Sequence, residues 1–496
     1  MQLLFIVLLG FITIFQSYSF YFYRDDFALL YNLQHNIAFN YPYWFLNYLY
    51  LPIFLLSKTQ PVGYFIYNSI FYFCSIIIFF FFAKELFTKK LFIYLSTIIF
   101  TISPVGIVSL QWMSLGSLQY FSLCLLLLTL LFYLKFQKKN NLFFGFAAGV
   151  FFILSLELVP LRAFSFIVPL SLLEIIRFKK RAIKISVLRL LPFLLIFFAY
   201  YLIQAPLMPN GIKNEQVFGA SQITTNFKTS LAWYAPFQTT ITVLYGGITI
   251  FLTPDGSLDE VKYKLFLILA MIIFITIASF FVYKKNKQIF FLIVASLVWM
   301  YLHILGYNLV NQPGDGEVVA RYNTFLIPAF AIFWSSTILG LYLYIKETKI
   351  KILYFCSIFI FLIINIWSTI YFLSIINTNR NRYAKIFYKQ LKTVIPTLPN
   401  KNLLFYMKSS NLDSHFKLID FTRVGIYDKN ASIAAIYDIN QENIVLLINS
   451  DELTDYLSKN NMPSLIYAIS YDGKSVRNIS EQIKEDISIY SKPASN

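Results

Sequence analysis

The sequence has few residues of the kinds that build metal and redox sites. It contains 3 cysteines and 3 histidines among 496 residues. Cys74, Cys124 and Cys356 lie far apart, each inside an apolar run, which favours buried or lipid-facing thiols over a disulfide or a metal site. His35 and His303 have no partner residues at metal-ligand spacing. The sequence also lacks CxxC, HExxH and Walker-type glycine motifs, so nucleotide binding of the soluble kind has no support.

Charge is scarce as well, and apolar residues are abundant. Charged residues make up 13% of the chain, whereas 58% of its residues are hydrophobic and 19% are aromatic. Long apolar runs recur along most of the sequence, and a run of about 20 apolar residues spans a bilayer as a helix. A chain of this kind is too apolar for a soluble globule. The composition therefore predicts a polytopic α-helical membrane protein.

The net charge of +17 does not indicate nucleic-acid binding, because its distribution fits a membrane protein better. Residues 1–375 hold 26 Lys and Arg against 12 Asp and Glu, and residues 376–496 hold 15 against 12. In the first part the cations cluster in five short loops, which the positive-inside rule places in the cytosol. These loops are 84–90, 135–139, 177–184, 284–287 and 346–351.

With these loops inside, the apolar runs predict eleven spans. They lie near 2–20, 62–83, 91–110, 117–134, 142–159, 162–176, 183–203, 263–283, 288–306, 323–345 and 351–373. The N-terminus is then cytosolic, and everything after residue 374 is extracytosolic. The apolar segment 241–252 is short and contains Gly-Gly, so we expect it to be re-entrant or interfacial. The first segment lacks a basic n-region and an A-x-A site, which favours a span over a cleaved signal peptide.

Two domains follow from this topology. Residues 1–375 form the membrane domain, with outer loops at 21–61 and 204–262. Residues 380–496 alternate short apolar runs with polar segments, which predicts a small extracytosolic α/β domain. Its expected strands are LLFYMK, IAAIYDI, NIVLLIN and LIYAISYDG, and DELTDYLSKN is expected to be a helix.

The carboxylates of the membrane domain are few, and one pair stands out. Glu85, Glu174 and Glu347 lie in or beside the basic loops, where solvated ion pairs explain them. Asp25 and Asp26 instead follow the first apolar run at its outer end, flanked by aromatic residues. They could be a helix N-cap and a first-turn acid. Because perturbed acids at the mouth of a membrane cavity are usually functional, we favour a catalytic pair.

Three further stretches carry unusual polar residues. Arg321 and Tyr322 enter a late helix from the outer face, either as an interfacial anchor or as a fork for an anionic head group. Glu157 and Arg162 flank a proline near the outer end of another helix, as a structural ion pair or as a carboxylate that orients site residues. Lys58 belongs to a polar entry into the second span.

In this order the stretches resemble the GT-C superfamily of integral-membrane glycosyltransferases. The closest type is that of the protein O-mannosyltransferases and aminoarabinose transferases, which use polyprenyl-phosphate sugars. The resemblance covers roughly residues 1–375. Its motifs are Asp25-Asp26 in the first outer loop, Pro61, Gly63 and Asn68 at the second span, Ser155, Glu157 and Pro160 in mid-membrane, and Arg321, Tyr322 and Pro328 at a late span.

The resemblance implies a reaction and its residues. A sugar would move from a polyprenyl-phosphate donor to a hydroxyl acceptor on a protein, lipid or glycan at the outer face, with inversion. Asp25 would be the general base, and Asp26 would orient it or help to bind a divalent cation, a cofactor that stays open. Arg321, Tyr322 and Lys58 would bind the donor phosphate. Glu157 and Arg162 would lie behind these residues. The stretch 41–54 would form the rim of the cavity.

Three other classes of function stay open. One is a scaffold membrane protein whose working part is the C-terminal domain, which would bind an acceptor or a partner. A polysaccharide polymerase or ligase that uses lipid-linked glycans would rely on Arg-rich outer loops, but the loop 204–262 has only lysines as basic residues. A transporter or flippase would show internal repeats and charged mid-bilayer helices. The sequence shows no repeat between its halves, and its candidate acids cluster at one face. A high Phe, Ile, Tyr and Lys content suggests an AT-rich bacterial genome, hence a bacterial inner membrane.

Overall fold

A computed structural model describes residues 2–22, 25–38, 44–103, 107–158, 164–177, 183–204, 260–310, 323–422, 430–460 and 465–490. Helices dominate the first three quarters of this part. They are α1 (Gln2–Ile14), α2 (Asp25–His35), α3 (Phe45–Ser57), α4 (Pro61–Leu86), α5 (Lys90–Ile102), α6 (Met113–Lys139), α7 (Leu142–Leu158), α8 (Phe164–Arg177), α9 (Ile183–Gln204), α10 (Glu260–Lys285), α11 (Lys287–Val310), α12 (Ile327–Tyr344) and α13 (Thr348–Ile376).

Each of the eleven predicted spans falls on one of these helices, and the chain is an α-helical membrane protein. By length and hydropathy, five helical segments of the described residues qualify as membrane spans: Gln2–Ser19, Pro61–Leu86, Met113–Lys139, Thr324–Tyr344 and Thr348–Tyr371. Several other helices are apolar but shorter, or belong only in part to the residues that the structure describes. Helices α2 and α3 are additional to the predicted set and occupy the first outer loop.

Helices α6 and α12 form the centre of the bundle. Helix α6 packs against α4 and α7, and α12 packs against α5, α10 and α11. Every residue of α12 from Ile327 to Gly340 is buried. Helix α13 is the opposite case, because large apolar side chains such as Leu353 and Phe359 are exposed on it. Exposed apolar surface of this extent suits contact with lipid.

Two of the predicted basic loops are short turns between neighbouring helices. Helix α4 ends at Leu86 and α5 begins at Lys90, while α6 ends at Lys139 and α7 begins at Leu142. The Lys138 ammonium lies 2.6 Å from the Glu85 carboxylate, so these two turns lie on the same side of the bundle. This ion pair is the one that the sequence predicts for Glu85.

The C-terminal part is an α/β unit joined to the last apolar helix. A π-helical turn, Asn377–Asn381, leads from α13 into α14 (Arg382–Val394). The strands β1 (Leu403–Ser409), β2 (Ile444–Leu447), β3 (Ile466–Tyr471) and β4 (Val476–Asn478) form one sheet in the order β2-β1-β3-β4. Strands β1, β2 and β3 are parallel, and β4 is antiparallel to β3. The helices of this unit are α15 (Leu412–Thr422), α16 (Ala431–Tyr437), α17 (Ser450–Lys459) and α18 (Ser480–Tyr490).

One of the four predicted strands is wrong. The segment IAAIYDI lies mostly in the buried helix α16, not in the sheet. Its alternation of apolar residues is short, and two adjacent alanines favour a helix. The other three predicted strands correspond to β1, β2 and β3, and the predicted helix DELTDYLSKN corresponds to α17. Asn449 caps α17, since its side chain accepts the backbone N–H of Glu452 at 2.7 Å.

Candidate active site at the N-terminal end of helix α6

The carboxylate pair begins helix α2. Asp25 is the first residue of this helix, and its side chain lies outside the described part. Asp26 is fully buried, and its Oδ1 accepts the backbone N–H of Ser114 at 2.8 Å. Ser114 belongs to the first turn of α6. The two residues are 88 positions apart in the chain.

The contact of Asp26 is that of an N-terminal helix cap supplied from another part of the chain. The first N–H groups of a helix have no partner within the helix, and the helix dipole favours negative charge at this end. The residue that precedes α6, Trp112, makes no side-chain cap. A carboxylate in this place stabilises the helix by about 1–2 kcal/mol. Asp26 therefore fixes α2 to the N-terminal end of α6.

A second buried polar group lies on the same turns of α6. The Asn68 side chain, on α4, donates to the Trp112 carbonyl at 3.2 Å and accepts the hydroxyl of Ser117. Tyr50 of α3 accepts the backbone N–H of Ser117 at 3.1 Å. Gly116 lies between these contacts, where a Cβ would collide with the Asn68 side chain. These bonds join α3, α4 and α6, and they place Asn68 of the predicted motif beside the helix end that Asp26 caps.

A third group ties the late helix to α6. The hydroxyls of Ser109 and Thr324 both lie 2.8 Å from Gln119 Oε1, and all three side chains are buried. Thr324 follows Arg321 and Tyr322, which lie outside the described residues. Ser114 and Gln119 are about 7.5 Å apart along the axis of α6. The chain that follows the predicted phosphate-binding motif is thus anchored within two turns of the Asp26 contact.

Glu157, at the end of α7, binds two aromatic residues. Its carboxylate accepts Trp44 Nε1–H at 3.0 Å and the Tyr200 hydroxyl at 2.8 Å. These bonds connect α7 to α9 and to the start of α3. The ion pair predicted with Arg162 falls outside the described residues, so that part of the prediction stays open.

Lys58 lies in the turn between α3 and α4. Its backbone has a φ of 45°, and its carbonyl accepts the Tyr64 hydroxyl at 2.6 Å. The Lys58 side chain is exposed, and no side chain in the described ranges forms an ion pair with its ammonium. A role in phosphate binding stays a prediction for this residue.

The predicted solvated ion pair of Glu174 is wrong, because this side chain is buried. Glu174 is 3% exposed, and its Oε1 accepts the Tyr133 hydroxyl at 2.7 Å and Gln137 Nε2–H at 2.6 Å. Sequence position beside a basic loop suggested a solvated ion pair, but α8 turns this side chain toward α6. A glutamate that follows an apolar run within a helix was the available signal.

The described side chains contain no group of three or more His, Cys, Asp or Glu residues that could hold a metal ion. Asp26 is one carboxylate of this part of the chain, and the Asp25 side chain lies outside the described residues. A divalent cation held by Asp25 and Asp26 accordingly remains a prediction.

Sequence reasoning missed the polar residues of α6 that organise this site. Ser114, Ser117, Gln119 and Ser122 interrupt an otherwise apolar helix, and all four are buried. Polar side chains within an apolar span usually face the bundle interior. Their spacing of two to three residues could have indicated that this end of α6 faces other polar groups.

Comparisons with known proteins gave structural similarities alone. No protein family matches the chain, and no curated protein matches it. A structure of ArnT from Cupriavidus metallidurans bound to undecaprenyl phosphate has a TM-score of 0.48 and 11% identity, covering 94% of this chain and 92% of that one. The Archaeoglobus fulgidus oligosaccharyltransferase tethered with an acceptor peptide has a TM-score of 0.42 and 12% identity, covering 91% of this chain and 64% of that one.

Both TM-scores are below 0.5 and both identities are below 25%. Neither similarity assigns a substrate or a catalytic residue to this chain.

Proposed function

We propose that the protein is a membrane glycosyltransferase. It moves a sugar from a polyprenyl-phosphate donor to a hydroxyl acceptor, and Asp25 is its general base. The observation that carries the proposal is the fully buried Asp26, bound to the N-terminus of α6. Since Asp26 is committed to this helix end, it positions the start of α2, and its neighbour Asp25 is the carboxylate left for chemistry.

The proposed step is a single displacement at the anomeric carbon. The acceptor oxygen forms a bond to this carbon while its proton moves to the Asp25 carboxylate. The bond between the anomeric carbon and the phosphate oxygen breaks, and the lipid phosphate leaves with the electron pair. One displacement without a covalent intermediate inverts the configuration. A positioned general base contributes roughly 10²–10⁴-fold to the rate of such a step.

Arg321 and Tyr322 are the proposed phosphate-binding residues, with Lys58 as a further candidate. Arg suits this role because its planar fork gives two parallel hydrogen bonds to phosphate oxygens. Support comes from Thr324, three residues later, which is bound to Gln119 near the Asp26 contact. Glu157 would act behind the site by holding Trp44 at the start of α3.

The reaction is proposed for the outer face of a bacterial inner membrane. The N-terminus would be cytosolic, and the C-terminal α/β domain would be extracytosolic. The basic turns at the opposite helix ends support this orientation, because short cytosolic loops are rich in Lys and Arg.

The test is a release assay on purified protein in nanodiscs. It measures free polyprenyl phosphate from a panel of polyprenyl-phosphate sugars with hydroxyl acceptors. Asp25→Asn should lower turnover by roughly 10²–10⁴-fold, with an unchanged melting temperature. Asp455→Asn is the matched control, since Asp455 lies in an exposed ion pair with Lys459.

Any of three results would contradict the proposal. Equal turnover of wild type and Asp25→Asn would remove Asp25 from the chemistry. Absence of turnover with every donor and acceptor, together with vesicle assays that show lipid or solute movement, would favour the transporter class. Turnover of longer lipid-linked glycans alone would instead favour a polymerase or ligase.

A further inference from the structure

Helix α2, which begins with the carboxylate pair, is in contact with the C-terminal domain. The contacting residues are Phe27, Tyr31 and Gln34, at spacings of four and three. Residues at these spacings lie on one side of a helix. Asp26, at the start of the same helix, is bound to α6 of the membrane domain. Helix α2 thus contacts both domains.

The first contact with the C-terminal side is aromatic. The ring centroids of Phe27 and Tyr388 are 4.8 Å apart, and Tyr21 stacks on Tyr388 at 6.1 Å. Phe27 and Tyr388 are buried. The Tyr388 hydroxyl donates to the Phe421 carbonyl at 2.6 Å, which fixes its ring to helix α15. The residue next to Asp26 therefore packs on a side chain whose position the C-terminal domain sets.

The second contact is polar and lies two turns along α2. The Tyr31 hydroxyl donates to Asn440 Oδ1 at 3.2 Å and accepts the backbone N–H of Gln441 at 3.1 Å. Gln34 Nε2–H donates to the Ala435 carbonyl at 3.0 Å. Tyr31 is 2% exposed, so its hydroxyl is bound in a site closed to solvent. Hydrogen bonds have a preferred angle as well as a preferred distance, so these bonds fix the orientation of α2 relative to the C-terminal domain.

Helix α2 needs such contacts to keep its place. It has 11 residues, and an isolated helix of this length is marginal in water. Its Asp26 contact alone leaves the helix free to pivot about one end. Besides helix α3, which packs against α2, the contacts of Tyr31 and Gln34 with the C-terminal domain hold the rest of the helix.

We propose that the C-terminal domain is a positioning element of the active site, acting through Tyr31, Tyr388 and Asn440 on helix α2. This inference rests on the proposed function, because it assumes that the start of α2 carries the catalytic base. None of the three residues is proposed to touch substrate. Their removal changes the placement of the carboxylate, and a misplacement of about 1 Å lowers a rate by up to roughly 10²-fold.

The experiment uses the full-length protein in nanodiscs and the variants Tyr31→Phe, Asn440→Ala and the double variant. Tyr31→Phe removes both hydrogen bonds but keeps the ring. Each variant should lower kcat by roughly 10–100-fold and leave the KM for the polyprenyl-phosphate sugar within about twofold. The double variant should lose little more than either single variant, because both changes break one shared contact.

Tyr437→Phe is the matched control. Tyr437 lies in the same domain, and its hydroxyl donates to the Ile395 carbonyl at 2.7 Å, a bond within this domain. This variant loses a hydrogen bond of the same type inside the domain. It should keep the kcat of the wild type, so it separates positioning of α2 from a general loss of stability.

Amide hydrogen exchange of residues 26–35 is the second readout. Exchange should rise in Tyr31→Phe and Asn440→Ala and stay at the wild-type level in Tyr437→Phe. Wild-type kcat in both contact variants would overturn the inference and leave the proposed function standing. An inactive wild type would overturn the proposed function and this inference with it. If kcat fell as much in Tyr437→Phe as in Tyr31→Phe, lower stability of the C-terminal domain would explain the loss, and the inference would be overturned.

Discussion

Helix α6 binds a buried carboxylate near each of its ends, and the two contacts differ in kind. At the N-terminal end, which we propose to be the outer end, Asp26 accepts a backbone N–H from Ser114 in the first turn. Toward the other end, Glu174 accepts hydrogen bonds from the side chains of Tyr133 and Gln137. Ser114 and Tyr133 are about 28 Å apart along the helix, close to the thickness of the hydrocarbon core of a bilayer.

The difference shows what burial of an acid does and does not indicate. Glu174 joins α8 to α6 by two side chains, and in the described part of the chain no residue of the predicted motifs forms a hydrogen bond with it. Asp26 is followed by aromatic contacts to the C-terminal domain, preceded by a second carboxylate, and bound near Asn68 and Gln119. Burial is common to both carboxylates, so it cannot distinguish them. The groups gathered around Asp26 are what make the outer end the candidate site.

Among Asp26, Glu174 and Asp472, loss of the Asp26 carboxylate should have the largest effect on kcat and on the free energy of unfolding. Asp26→Ala leaves the N–H of Ser114 without its acceptor in a buried place and frees the start of α2. We expect kcat to fall by roughly 10²-fold and the free energy of unfolding to fall by about 1–3 kcal/mol. Assay of lipid-phosphate release and thermal unfolding in nanodiscs would measure the two losses separately.

Asp26→Asn is the control for this prediction, because an amide oxygen still accepts the Ser114 N–H. It should recover most of the stability. An Asp26→Ala protein with full kcat would show that the placement of α2 does not depend on this contact.

The corresponding change at the other end should affect stability alone. Glu174→Ala leaves the hydroxyl of Tyr133 and the amide of Gln137 without their acceptor. The free energy of unfolding should fall by about 1–3 kcal/mol. The kcat of the folded protein should stay within about twofold of wild type, since this contact lies about 28 Å from Ser114. The same assays apply. A loss of kcat as large as that of Asp26→Ala would remove the distinction between the two ends.

Much of the helical fold could be predicted because it depends on local hydrophobicity. Each predicted span falls on a helix, since the length and apolarity of a run are visible in the sequence. Helix α2 was not predicted, because its apolar residues do not form a long continuous run. Its stability comes from contacts with other helices, among them α6 and α16. Helix α16 was predicted as a strand because it is short. Seven residues are too few to distinguish the helical period of 3.6 from the strand period of 2.

The candidate site could be predicted in its motif residues and not in its contacts. Asp25, Asp26 and Asn68 stand out as polar residues beside or within apolar runs. The bond from Ser114 to Asp26 spans 88 residues, and the bond from Tyr31 to Asn440 spans 409. No local pattern encodes such pairs. Asn440 in particular lies in a polar turn of ordinary composition, so only the folded chain relates it to α2.

An exposed carboxylate completes the comparison and should give the smallest effect. Asp472, in the turn between β3 and β4, accepts the Ser475 hydroxyl and the backbone N–H groups of Ser475 and Lys474. The side-chain hydrogen bond from Ser475 is the main cause that lowers the pKa of Asp472 from 3.8 to about 2.

Because the folded pKa lies below the ordinary value, this carboxylate stabilises the fold above about pH 4, and its contribution is lost as the pH falls toward about 2. Asp472→Ala should therefore melt below the wild type at neutral pH, by a small margin that narrows in acid. Melting curves of both proteins across this range measure the margin, and Ser475→Ala should show a similar pattern. A margin that stays constant down to about pH 2 would mean that the turn is stabilised by its backbone and not by the charge of Asp472.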